Sequence, residues 1–215
     1  KWVGHVNKFP PSQGLRVNMM PFVLAPGLAT LPENLQGYAP LINHCMLALS
    51  ENDLNTVCYL TVDESAVEKG HTQRRGGLHT ESPGYFLTSA TENTTYSTLG
   101  YWGRGRSVHT EVSGGLFMAS NLQNSCAVYR ALVDPSAVME GGSADHLREF
   151  LGVPHFLETH ALYWLTDTTP HEALPAKERV FRQFFRLVTS QISVWHTEHS
   201  TPNPLGVVPP PSVEI

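Results

Sequence analysis

Apolar positions along the chain fall into short runs broken by glycine, proline and small polar residues. Such runs, rich in β-branched and aromatic side chains, have the length and punctuation of strands rather than the 3.6-residue period of amphipathic helices. Residues 55–62 (NTVCYLTV), 85–90 (YFLTSA), 96–102, 112–121 (VSGGLFMASN), 127–132 (AVYRAL), 161–166 (ALYWLT) and 179–195 (RVFRQFFRLVTSQISVW) all read this way. Residues 40–50 (PLINHCMLALS) suit either a short helix or a buried strand. The clear helix is 143–150, with Ser143 placed to cap its start and Gly152 to stop it. Residues 1–40 carry Pro10-Pro11, Pro21, Pro26-Gly27, Pro32, Gly37 and Pro40, which predict an extended N-terminal arm with one strand near 20–24. A Pro-rich tail, 196–215, predicts an extended or disordered exit. The pattern adds up to a mainly β sandwich or barrel with a few short helices and its core at about 41–195.

A chain of 215 residues suits one domain, and 41% hydrophobic content suffices for a globular core. The net charge of −5 and a longest basic cluster of only Arg74-Arg75 exclude nucleic acid as a partner. No apolar run approaches membrane-spanning length, which argues against a membrane partner. Cys45, Cys58 and Cys126 are odd in number and far apart, which predicts reduced, partly buried thiols in an intracellular, cytoplasmic protein. Eleven histidines against fourteen lysines and arginines make a metal site worth seeking.

The candidate chemistry centres on Arg75-Gly76-Gly77-Leu78-His79-Thr80-Glu81-Ser82-Pro83-Gly84. On a strand, His79 and Glu81 project from the same face, as two ligands of one ion must. His171, directly after Pro170 in a tight polar turn, is the candidate third ligand, and Arg182 follows eleven positions later in a strand-like run. Two competitors stay open: His109-Thr110-Glu111 repeats the first tripeptide, and His160 is an alternative third ligand. Gln73, Arg74 and Arg75 precede the site and are placed to meet an anionic or polar substrate, with Arg75 and Gln73 the proposed contacts.

His79-x-Glu81, a distal His171 and a following arginine resemble the signature of the iron(II)- and 2-oxoglutarate-dependent oxygenases, over roughly residues 60–188. Most members of that superfamily have aspartate where this chain has Glu81. The resemblance implies a double-stranded β-helix, or jelly roll, and a site of Fe(II), 2-oxoglutarate and O₂. Two imidazoles and a carboxylate on one face of an octahedral ion leave three positions open, which suits Fe(II) and O₂ chemistry. The far carboxylate of 2-oxoglutarate needs a planar two-pronged donor, which the resemblance assigns to Arg182 or Arg186, with Arg179 a competitor. The implied reaction oxidises a small molecule or a protein side chain and releases succinate and CO₂.

Overall fold

Strand β13 (Val180–Val188) shows why the apolar runs are so continuous. Its alternate residues face two different cores: Phe185 and Leu187 look one way, Phe184 and Val188 the other. A strand buried on both faces has no polar side to alternate with. The computed structural model describes every residue except 7, 83–84, 92–93, 110 and 214–215, and the backbone alone for 85–91 and 94–99.

In chain order the strands are β1 (Trp2–His5), β2 (Arg16–Val23), β3 (Val57–Val67), β4 (Tyr85–Thr91), β5 (Thr94–Leu99), β6 (Arg106–Val108) and β7 (Glu111–Ser113). They continue with β8 (Leu116–Ser120), β9 (Cys126–Val128), β10 (His155–Phe156), β11 (Ala161–Leu165), β12 (His171–Ala173) and β13. The main sheet is antiparallel, in the order β1-β11-β8-β13-β3-β2. A smaller sheet, β10-β9-β12, packs over one face through Cys126 and Leu157, against Met118, Tyr163 and Phe184. Hairpins β4-β5 and β6-β7 stand apart from both. The protein is thus mainly β, with a large antiparallel sheet and few short helices. Helix α1 (Ala39–Ala48) settles the ambiguous 40–50 run: Pro40 lies in its first turn, and Leu41, Ile42 and Cys45 are buried on the far side of the main sheet.

Three expectations fail in instructive ways. Residues 1–40 are not an arm outside the core. They supply both edge strands, β1 and β2, and much of the core beneath α1, including Phe22, Leu24, Leu31, Leu35 and Tyr38. Pro21 is tolerated because β2 is an edge strand paired, among the described residues, only with β3. The tail is docked rather than loose: Asn203 is buried and its Nδ2 donates to Pro21 O (2.8 Å) and Thr30 O (2.9 Å). The 143–150 helix is a 3₁₀ helix over Asp145–Phe150 with no side-chain cap at its start; Ser143 lies outside it.

The 112–121 run is two strands, because Gly114 and Gly115 turn between β7 and β8. Gly115 has φ +80°, and a Cβ there would sit 2.5 Å from Leu165 O, so only glycine fits. All three cysteines are free and buried. Among the described residues no helix is long and apolar enough to cross a membrane.

Candidate metal and anion site

The side of β13 that faces the smaller sheet carries Arg182, Phe184 and Arg186, opposite Ser65, Asp63 and Thr61 of β3. A bulge in β2, where Met19 has φ +47°, lets Asn18 and Met19 join this face. The bulge is pinned from two sides: Met19 N donates to Thr61 Oγ1 (3.1 Å), and Trp195 Nε1 donates to Met19 O (2.8 Å). Between these residues and the smaller sheet lies a cavity of about 370 Å³. Its lining includes His79, Glu81, His171, Arg182 and Arg186.

His79 reaches this cavity by pairing its backbone with His171. His79 N donates to His171 O (3.0 Å) and His171 N donates to His79 O (2.9 Å), extending the smaller sheet beyond β12 by one residue. The flanks are held as well. Thr80 N donates to Gly142 O (2.9 Å), Ala144 N to Leu78 O (2.9 Å) and Ser82 N to Asp167 O (2.8 Å). Gly142, at φ +79°, is required here, since a Cβ would lie 2.6 Å from Ser82 O. A polar chain ties the two histidine segments together on the outside. Asp145 accepts from Leu78 N (3.1 Å) and from Arg148 (2.8 Å), and Arg148 donates to Glu172 (2.7 Å), next to His171.

The imidazole geometry is informative. The rings of His79 and His171 lie 4.6 Å apart between centroids. His79 Nδ1 is 2.8 Å from Gly77 O, and His171 Nδ1 is 2.9 Å from Thr169 O. A carbonyl oxygen only accepts, so both Nδ1 atoms carry a proton, and Nε2 is the ring nitrogen each side chain leaves for a partner other than the backbone. This backbone orientation of the ring is what metal-binding histidines use. His171 Nε2 lies 3.6 Å from Glu81 Oε1. Burial, with His171 close by, pushes the His79 pKa down to about 4, so the ring is neutral at pH 7.

Glu81 is buried, which alone would raise its pKa. Arg186 and the two imidazoles outweigh burial and hold the carboxyl well below the usual carboxylate range. Arg186 Nη1 donates to Glu81 Oε1 at 2.5 Å, and its guanidinium lies 5.9 Å from the Trp102 ring. The donor set thus fits a divalent ion in chemistry. As the side chains stand, no three His, Cys, Asp or Glu residues among those described form a group that could hold one. Arg186 takes the carboxylate oxygen nearest His171.

The other sequence-derived candidates divide cleanly. Arg182 is 3% exposed, and among the described residues its guanidinium makes one hydrogen bond, from Nε to Ser120 Oγ (3.2 Å), and no ion pair. Burial brings its pKa down to about 10, still charged at pH 7. Arg75 is at the cavity mouth and donates to Gly141 O (2.6 Å). Gln73 is a correction: it does not line the cavity. Its Nε2 donates to Ser65 Oγ (2.8 Å) and Arg182 O (2.9 Å), clamping β3 to β13. Its neighbour Arg74 takes the place in the lining. Arg179 pairs with Glu68 at the surface (2.8 Å). His109 and Glu111 are exposed in the β6-β7 hairpin, and His160 packs against Phe9 away from the cavity. Sequence reasoning missed Asn18, Met19 and His196 as lining residues, because they belong to the two segments read as lying outside the core. No family model, curated protein or solved structure matches this chain.

Proposed function

We propose that the protein is a non-haem Fe(II)- and 2-oxoglutarate-dependent oxygenase acting on a small molecule, and that its two facing sheets are the halves of a double-stranded β-helix. The observation that carries this reading is the meeting of His79, Glu81 and His171 in one cavity, with both Nδ1 atoms held by backbone carbonyls. His79, Glu81 and His171 would hold the metal once Arg186 yields Glu81. Fe(II) with 2-oxoglutarate and O₂ supplies the oxidising power. The chain's own part is to keep the His79 ring neutral, fix both rings through Gly77 O and Thr169 O, and offer Arg182 to the far carboxylate of the co-substrate. A cavity of about 370 Å³ lies in the ~300–1,000 Å³ range of small-molecule sites. Arg182 and Arg186 both line that cavity, which supports 2-oxoglutarate over a cupin-like metalloenzyme that does without it. Three free, buried cysteines are in keeping with a cytoplasmic setting.

The test is Fe(II)-dependent formation of succinate from 2-oxoglutarate by the purified chain with ascorbate, across a panel of small acids, alcohols and amines. Turnover lost in His79→Ala, His171→Ala and Glu81→Ala, and a 2-oxoglutarate affinity about tenfold or more weaker in Arg182→Lys, is the expected result. No turnover together with no Mn(II)-dependent binding of 2-oxoglutarate would falsify it. One observation favours a second reading: the Glu81–Arg186 ion pair suits a metal-free module that binds anions. A chain that binds succinate but shows no thermal shift with Fe(II), Mn(II) or Ni(II) is that module.

A further inference from the structure

The cavity is more basic than one co-substrate requires. Arg74, Arg75, Arg182 and Arg186 all line it, and Glu81 is the one carboxylate among the described lining residues. Exposure grades these guanidiniums from floor to mouth: Arg182 and Arg186 are buried, Arg74 is half-buried and Arg75 is exposed. Arg186 pairs with Glu81 through Nη1, while its buried Nε has no partner among the described residues, and Arg182 at the floor meets Ser120 but, among those residues, no carboxylate. The pair at the mouth is then left over. Among the described residues Arg74 has only long polar contacts, 3.4 Å to Asn18 Oδ1 and 3.8 Å to Asp63 Oδ2, and its guanidinium lies 5.4 Å from the Phe184 ring. Asp63 makes its close contacts through its other oxygen, Oδ1, which takes Arg16 and Ser65 Oγ, both at 3.0 Å, and its Oδ2 stays a distant partner of Arg74. Arg75 meets a backbone carbonyl and, among the described residues, no carboxylate.

We propose that Arg74 and Arg75 form a second oxyanion subsite, distinct from the one at Arg182, so that the primary substrate is a small acid held by its carboxylate or phosphate at the cavity mouth. This rests on the oxygenase reading for the word substrate, but the subsite itself does not. The placement has a chemical logic. An anion at the mouth leaves the rest of the molecule pointing inward, toward His79 and His171. Planar guanidiniums favour carboxylate and phosphate, which accept two parallel hydrogen bonds. Mutual repulsion among Arg74, Arg182 and Arg186, inside a half-enclosed cavity, is relieved by such a guest. Burial, followed by the charge of Arg186, lowers the Arg74 pKa to about 10, in keeping with a cation short of partners.

The experiment is calorimetric titration of succinate, and separately of inorganic phosphate, into the full chain at low salt. Wild type is compared with Arg74→Gln, Arg75→Gln and Arg182→Gln. The expected result is two anion equivalents in wild type. Arg74→Gln and Arg75→Gln weaken one by about tenfold or more and spare the other, and Arg182→Gln does the reverse. Whichever probe binds the Arg74 step more tightly identifies its chemistry as carboxylate or phosphate. A single equivalent weakened by Arg74→Gln and Arg182→Gln alike means one dianion spans both, and overturns the proposal. So does binding indifferent to Arg74→Gln and Arg75→Gln. Equal urea midpoints for wild type and Arg74→Gln exclude misfolding as the cause. Failure of the oxygenase reading shows elsewhere, as absent Fe(II)-dependent succinate formation, and leaves the anion count standing.

Discussion

Replacing Arg186 by methionine isolates the contact that competes with metal binding. Arg186 and Glu81 are 10% and 8% exposed in their side chains and joined at 2.5 Å. Methionine keeps most of the volume but leaves an ionised carboxylate buried without its main partner. Breaking a buried pair from one side costs about 3–5 kcal/mol. For a chain of this size that is a fall in Tm of roughly 6–20 °C, at ~2–4 °C per kcal/mol. The pH dependence carries the sharper signature. In the wild type the Glu81 pKa lies below its unfolded value, so its contribution is present above about pH 4.5 and is lost as pH falls through the lower folded value. In Arg186→Met burial dominates and the folded pKa rises above the unfolded one. The carboxyl then protonates in the folded state as pH falls, and the gap between the two proteins narrows below about pH 5. Urea denaturation from pH 4 to 8 measures both curves. Arg186→Met/Glu81→Gln should recover most of the loss at pH 7.5, since no buried charge remains. Titration with Mn(II) should stabilise Arg186→Met more than the wild type, because Glu81 is already released. A cost under about 1 kcal/mol at pH 7.5, or a gap unchanged with pH, refutes the view that Arg186 holds Glu81 ionised.

Three further outcomes are expected. The His79 pKa is lowered from 6.5 to about 4, so the unfolded chain binds the proton more readily between those values. Stability should therefore fall as pH drops from 6.5 to 4, by up to about 3 kcal/mol, and the difference from His79→Asn across that window measures it. Gly142→Ala forces a side chain at positive φ toward Ser82 O, costing about 1–3 kcal/mol and displacing the His79–Ser82 segment. Weaker 2-oxoglutarate binding alongside the lower urea midpoint checks this. Asn203→Ala leaves the carbonyls of Pro21 and Thr30 without their donor, costing about 1–3 kcal/mol, and limited proteolysis should then cut the tail near 203 first.

What the sequence determined by itself was local. Strand-like runs separated by glycine and proline predicted a mainly β chain, because the period of a strand and the steric demands of its turns are written in neighbouring residues. The alternation Arg182, Phe184, Arg186, Val188 likewise placed two arginines on one face of a strand, and β13 is that strand. His79, Glu81 and His171 were legible as residue types in order. Their meeting was not, because it depends on a backbone pairing between His79 and His171 across 92 positions. Only tertiary structure separated them from His109, Glu111 and His160, identical in chemistry but turned to solvent or to Phe9. It also reversed the standing of the two termini. Proline-rich sequence predicts extended backbone, and extended backbone serves an edge strand or a docked tail as readily as a free arm. The choice lay with partners far along the chain: β3 and β11 for the N-terminal strands, and Pro21 and Thr30 for the tail. The same long-range packing gave Arg186 to Glu81 and left Arg182 without a carboxylate among the described residues, a distinction between two arginines that no local pattern contains.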